Sequence, residues 1–183
     1  MIAAALLAVV STQAVPPPLE QVVANCAAPV YATDQLVCGD AGLAQLDDAM
    51  GDLLGRWRPA PIDGLAPWRE TQAEWFKRRS LCAFKTTHRQ CVFDAYTERM
   101  EVLRALTAPA APEVPSYRCD HIRGTVSSTG ALVLLVDGKP AGAAVRRSER
   151  SGWQPYLRLD GAGSKLRITP SGGKPIRCVR LRP

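Results

Sequence analysis

The chain has few of the residues on which catalysis usually rests. It holds two histidines in 183 residues, and neither His88 nor His121 belongs to an H-E-x-x-H run, a phosphate loop or a recognisable nucleophile motif. Asp47 with Asp48, and Glu70 with Glu74, are acidic pairs on helical patterns and read as surface charge. No two of the six cysteines have C-x-x-C spacing, which argues against zinc ribbons and dithiol redox motifs. The residues therefore point to no enzyme, no metal and no cofactor. A membrane span is lacking as well, because the apolar run Ile2 to Val10 is too short to cross a bilayer. No Lys or Arg precedes that run, so its n-region is incomplete. Ser11-Thr12-Gln13-Ala14 nevertheless offers small residues to signal peptidase, and Pro16, Pro17 and Pro18 end the run. Residues 1–14 are predicted to be a signal peptide. No cysteine follows it directly for acylation, so the product is expected to be periplasmic or secreted.

An even cysteine count in small units implies three disulfides and an oxidising compartment. With 46% hydrophobic residues, the chain can bury one ordinary core or two small ones. Its organising stretch runs from Trp68 to Leu106, where apolar residues at 68, 75, 76 and 82, then 92, 96, 100, 103 and 106, recur at helical spacing. Two helices in a hairpin are predicted, with Cys82 and Cys91 at its corner. Upstream, Asp34 opens a short helix ending at Cys38. Asp40 caps another, with the stripe Leu43, Leu46, Met50, Leu53, Leu54 and Trp57. The loop 59–67 carries three prolines, the last of which, Pro67, suits a helix first turn. Short loops favour the pairs Cys26 with Cys38 and Cys82 with Cys91. Arg79 is expected to meet Asp47 or Glu98. Lys77, Arg78, Arg79, Lys85 and Arg89 form a basic run at the hairpin corner, either a solvated face or a surface for an anionic partner.

The segments CAAPVYATDQLVCGDAGLAQLD, TQAEWFKRRSLC and YTERMEVL resemble the N-terminal domain of LprI-type lysozyme inhibitors. The marks are Cys26, Cys38, Gln72, Trp75, Arg79, Cys82, Cys91, Tyr96 and Arg99. Ser80 and Leu54 depart from the family's usual Asp and Tyr. The resemblance implies an inhibitor fold for residues of about 25–106. Read from the residues themselves, Trp75 and Tyr96 are core positions, and Gln72 and Arg79 share one helix face.

Residues 107–116, TAPAAPEVPS, read as a semi-rigid linker between a helical domain at 20–106 and a β domain at 117–183. Beyond it the helical period disappears. Strands are predicted at Tyr117 to Arg123, Ala131 to Val136, Gly142 to Arg147, Gln154 to Leu159, Lys165 to Thr169 and Ile176 to Leu181, with Asp137-Gly138, Asp160-Gly161 and Ser171-Gly172-Gly173 as turns. The fold class is thus α+β, a small disulfide-stapled helical bundle followed by a small antiparallel β barrel or sandwich. Cys119 and Cys178, in the first and last strands, should pair. In the chain-entropy model that bond contributes roughly 4 kcal/mol.

Tyr-x-Cys at the start, DGKP, SGWQPY and the closing cysteine make this half similar to the C-type lysozyme inhibitor domain of the membrane-bound (MliC) kind. That resemblance places the inhibitory Ser-Gly on Ser151 and Gly152, its tyrosine on Tyr156 and its lysine on Lys165. It implies that serine and lysine enter a cleft holding two carboxylates. The gap Trp153-Gln154-Pro155 before Tyr156 is one residue longer than usual in that family, and Pro155 pushes Gln154 towards extended geometry.

Charge divides the chain. From Val15 to Pro112 there are 10 Lys and Arg against 12 Asp and Glu, a net of −2, and from Glu113 onward 13 against 5, a net of +8. A basic lysozyme would be repelled by the second half at long range. Two partners are therefore carried forward: a lysozyme-type enzyme whose active site is blocked, or an anionic envelope polymer bound by a non-catalytic structural protein. Arg146, Arg147 and Arg150 beside Trp153 and Tyr156 interleave base and aromatic, but an exported disulfide protein is not expected to meet nucleic acid. Oligomeric state is not legible.

Overall fold

The computed structural model describes residues 22–57, 68–108, 114–148 and 151–182. The predicted signal peptide, the loop 59–67, Arg150 and residues 109–113 of the linker lie outside them. The fold is α+β, with four helices and a nearly closed, barrel-like antiparallel sheet of seven strands. No helix among the described residues is long and apolar enough to cross a membrane.

Helix α1 spans Ala32–Gly39 and α2 spans Ala41–Arg56. Asp40 caps α2 as predicted, its Oδ1 accepting from the N–H groups of Gly42 and Leu43 at 3.0 and 3.1 Å. Helix α3 covers only Gln72–Ser80, followed by a 3₁₀ turn, Leu81–Phe84, and then by α4, His88–Thr107. The first arm of the predicted hairpin is thus shorter than its apolar spacing suggests. Thr71 and Glu74 form a capping box that starts α3 four residues after Trp68. All four helices face one apolar cluster that includes Val37, Leu43, Met50, Trp75, Phe76, Val92, Tyr96 and Leu103.

The strands are β1 Ser116–Cys119, β2 Ile122–Val126, β3 Leu132–Val136, β4 Lys139–Ala144, β5 Leu157–Asp160, β6 Leu166–Pro170 and β7 Ile176–Arg180, in the order β4-β3-β2-β1-β7-β6-β5. The single strand predicted over Tyr117 to Arg123 is instead a hairpin. Asp120 takes φ 57°, and the chain reverses through Asp120-His121. Val145 then bridges to Arg158 in parallel, bringing the two sheet edges together. All three expected disulfides are present, Cys26–Cys38, Cys82–Cys91 and Cys119–Cys178, the last between residues directly opposite on β1 and β7.

Helical and β segments exchange tryptophans. Trp68, preceding α3, is buried in the sheet's core against Leu157 and Leu132 rather than in the helical cluster, and its ring meets His121 edge-on at 6.0 Å. Gly142 is what lets it lie there, since a Cβ at that position would come within 2.0 Å of the Trp68 carbonyl oxygen. Trp153, preceding β5, is buried in the helical cluster. Ala105 and Leu106 at the end of α4 close a third contact against Ala131, Val133, Ala143 and Val145.

Candidate functional site

The helical motif residues form two polar networks that meet at the ring of Trp75. Arg79, fully buried on α3, donates to Asp34 of α1 and to the Tyr96 hydroxyl of α4. Tyr96 donates onward to Asp47 Oδ1 at 2.7 Å, and Asp47 Oδ2 accepts from the Ala24 N–H at 2.9 Å. The expected ion pairing is therefore corrected. Arg79 pairs with Asp34 and reaches Asp47 only through the tyrosine, while Glu98 lies near Arg78 at 3.8 Å. Burial raises the Asp47 carboxyl above its ordinary pKa, against the bonds from Tyr96 and Ala24, and burial likewise raises the Tyr96 phenol. The guanidinium stacks over Phe76 at 3.9 Å, and its Nε has no hydrogen-bond partner among the described residues. Gln72 accepts from Arg99 Nε at 2.9 Å and donates to the Val22 carbonyl at 2.8 Å. Gln72, Arg79, Tyr96 and Arg99 thus tie the four helices and the segment at Val22 to Ala24 together around the ring of Trp75.

Ser151 is only 9% exposed, and its hydroxyl donates to Asp94 of α4 at 2.6 Å while accepting from the Trp153 N–H at 3.0 Å. Its carbonyl takes two bonds from Arg147. The following residues are held just as firmly. Arg78 donates to the Gln154 carbonyl at 2.6 Å, stacks on Trp153 at 4.0 Å and forks onto Glu70 at 2.6 and 2.7 Å. Glu98 accepts from Trp153 Nε1 and from the Tyr156 N–H, each at 3.4 Å. Burial pushes the Glu98 carboxyl up to about 7 despite the pull of Arg78. A cleft of about 90 Å³ beside this seam is lined by Asp94, Glu98, Glu101, Arg146, Arg147 and Ser151.

Of the residues assigned to partner contact, Gly152 and Lys165 are exposed and Tyr156 is half-buried. Lys165 lies in the β5–β6 connection, anchored by the Tyr117 hydroxyl donating to the Gly163 carbonyl at 2.9 Å. Ser151 lies in the segment entering β5. The structure therefore sets the two at opposite ends of one strand, one latched onto α4 and the other free.

A second protruding element is the hairpin apex. Phe84 is 86% exposed and Leu81 57%, on a 3₁₀ turn stapled by Cys82–Cys91. Lys77, Leu81 and Phe84, spaced four and then three apart, line one side of α3 and its extension. Within the basic run, Arg78, Arg79 and Arg89 are neutralised by Glu70, Asp34 and Asp40, which leaves Lys77 and Lys85 as exposed ammonium groups with no ion pair among the described residues. Sequence reasoning found the charges but did not single out the two apolar side chains.

These features define a disulfide-stapled α+β protein whose polar networks lock helices to the segment that leads into the sheet. Over 109 residues it is 34% identical to Lipoprotein LprI of Mycobacterium bovis and of Mycobacterium tuberculosis, a match covering 57% of this chain and 52% of the relative. The chain thus spans about half the length of the curated relatives it matches. No protein-family profile matches it, and no solved structure does.

Proposed function

We propose that the chain is an exported, non-catalytic inhibitor that binds a lysozyme-type enzyme and covers its active site, acting in the periplasm or outside the cell. The observation that carries this reading is the identity to Lipoprotein LprI, which supports the resemblance of residues 25–106 to LprI-type inhibitor domains. Residues 20–106 and 117–183 act as its two domains. Two surfaces suit a cleft lined by carboxylates. Lys165 stands exposed on the turn that Tyr117 anchors, and the MliC-like resemblance favours it as the residue that enters the cleft. The apex offers Phe84 as an apolar anchor between Lys77 and Lys85, on a turn already rigid before binding. The segment carrying the apex has a net charge of −2, so it approaches a basic enzyme without the repulsion that the +8 segment meets.

The test is inhibition of C-, G- and I-type lysozymes by the mature protein, with Phe84→Ala, Lys165→Ala and the control Arg180→Ala. Truncating a desolvated charged partner costs roughly 2 to 5 kcal/mol and truncating an apolar hot-spot anchor about 2 kcal/mol or more, so whichever element enters the cleft should lose at least about tenfold in inhibition constant, with the control near wild type. No inhibition of any lysozyme at micromolar concentration would overturn the proposal.

A further inference from the structure

On the outer surface of the sheet, arginine faces arginine twice. Arg118 of β1 is directly opposite Arg123 of β2, and Arg167 of β6 is directly opposite Arg177 of β7. Val179, two residues beyond Arg177 and on the same side, is opposite Arg118. Since cross-strand partners and residues two apart share a face, the four arginines form one stripe, Arg123-Arg118-Arg177-Arg167, across four neighbouring strands. All four are exposed, while Tyr117, Cys119, Ile122, Leu166, Ile168 and Cys178 between them point into the core. Like charges directly opposite each other destabilise a sheet. Yet among the described residues none of the four has an ion pair. The nearest acid in register, Asp160 opposite Arg167, is taken by Arg158 at 2.9 Å. Such repulsion serves nothing in the folded chain by itself, and it is relieved when counter-charge arrives from outside.

We infer that this stripe binds a linear, phosphate-bearing polyanion. Guanidinium groups recognise phosphate by paired parallel bonds. The stripe crosses three interstrand steps, about 14 Å, and follows the curve of a nearly closed barrel, so a flexible chain can track all four arginines where a flat membrane would meet the middle ones. Among the described residues the face carries no aromatic ring on which bases would stack, which sets a polymer without bases above single-stranded nucleic acid. The inference stands independently of the inhibitor reading.

The experiment compares the full chain, Arg118→Gln/Arg167→Gln, and the charge-matched control Lys139→Gln/Lys174→Gln, two exposed lysines off the stripe. The probe is long-chain inorganic polyphosphate, titrated over a range of salt. The arginine variant should bind at least about tenfold more weakly, with a salt slope lower by about 1 to 2, the loss expected for two phosphate contacts. The lysine control should stay within about threefold. Thermal unfolding of the arginine variant should come at the wild-type temperature or above it, because one repelling partner has gone from each pair. Equal losses in both variants would mean net charge alone and overturn the inference, as would a lowered unfolding temperature in the arginine variant. Tighter binding to phosphatidylglycerol vesicles or to single-stranded DNA than to polyphosphate would overturn it as well.

Discussion

Glu98→Gln is expected to remove most of the loss of stability that the wild-type protein suffers as pH rises from acid to neutral. Glu98 sits in the seam between α4 and the segment entering β5, facing Arg78 of α3, Glu70 just before α3, Arg99 on its own helix, and the N–H groups of Trp153 and Tyr156. Burial lifts its pKa from the ordinary 4.5 to about 7. A carboxyl whose folded pKa is raised is harder to ionise in the folded state, so its stabilisation is complete below the unfolded value and is lost as pH climbs through the folded one. At 1.36 kcal/mol per unit, a shift of this size is worth at most about 3 kcal/mol between about pH 4.5 and pH 7. Urea unfolding at about pH 5 and about pH 8 measures it. Burial also raises Asp47, which acts with the same sign, and lowers His88, which acts with the opposite one. Neither is touched by the substitution, so the difference between the two proteins isolates Glu98. Equal pH slopes for wild type and Glu98→Gln would refute the reasoning, because they would mean that the seam admits enough water to ionise Glu98 freely.

The sequence is most readable where the physics is local. The 3-4 stripe of α2, the Asp40 cap and the short cysteine spacings each depend on neighbours in the chain, and each is found where it was expected. Trp68 misleads because its helical spacing to Trp75 is compatible with a residue outside the helix. The Thr71-x-x-Glu74 signature, present in the sequence, marks the true start. The hairpin at Asp120-His121 was merged into one strand because it lacks glycine, although Asp is among the residues that tolerate the left-handed region. Partner choice is the least legible level. For Arg79 the sequence suggests Asp47 or Glu98, and only the packing of α1 against α3 brings Asp34 to it instead. Ser151 likewise carries the pattern of a free loop, and nothing within ten residues of it announces that Asp94 will close on its hydroxyl. The arginine stripe is invisible until register is known, since each member looks like an ordinary outward position of its own strand.

Replacing Cys119 and Cys178 together by alanine should cost about 4 kcal/mol in the chain-entropy account of a loop this long, read as a lower urea midpoint, and a loss under about 1 kcal/mol would show that sheet pairing alone confines those ends. The Ser151→Ala variant bears on function directly. Its hydroxyl is simultaneously donor to Asp94 and acceptor from the Trp153 N–H, so its removal strands a carboxylate and a buried N–H at the point where α4 meets the β5 lead-in. Leaving such groups unmatched costs about 1 to 3 kcal/mol, and Trp153, buried in the helical cluster, should loosen with it, visible as increased quenching of tryptophan fluorescence. Inhibition of a lysozyme, normalised to folded protein, should stay within about threefold of wild type, because a latched serine is not available to a target. The opposite pattern, unchanged stability with inhibition reduced tenfold or more, would mean that the bond to Asp94 opens on binding and that Ser151 works against the enzyme after all.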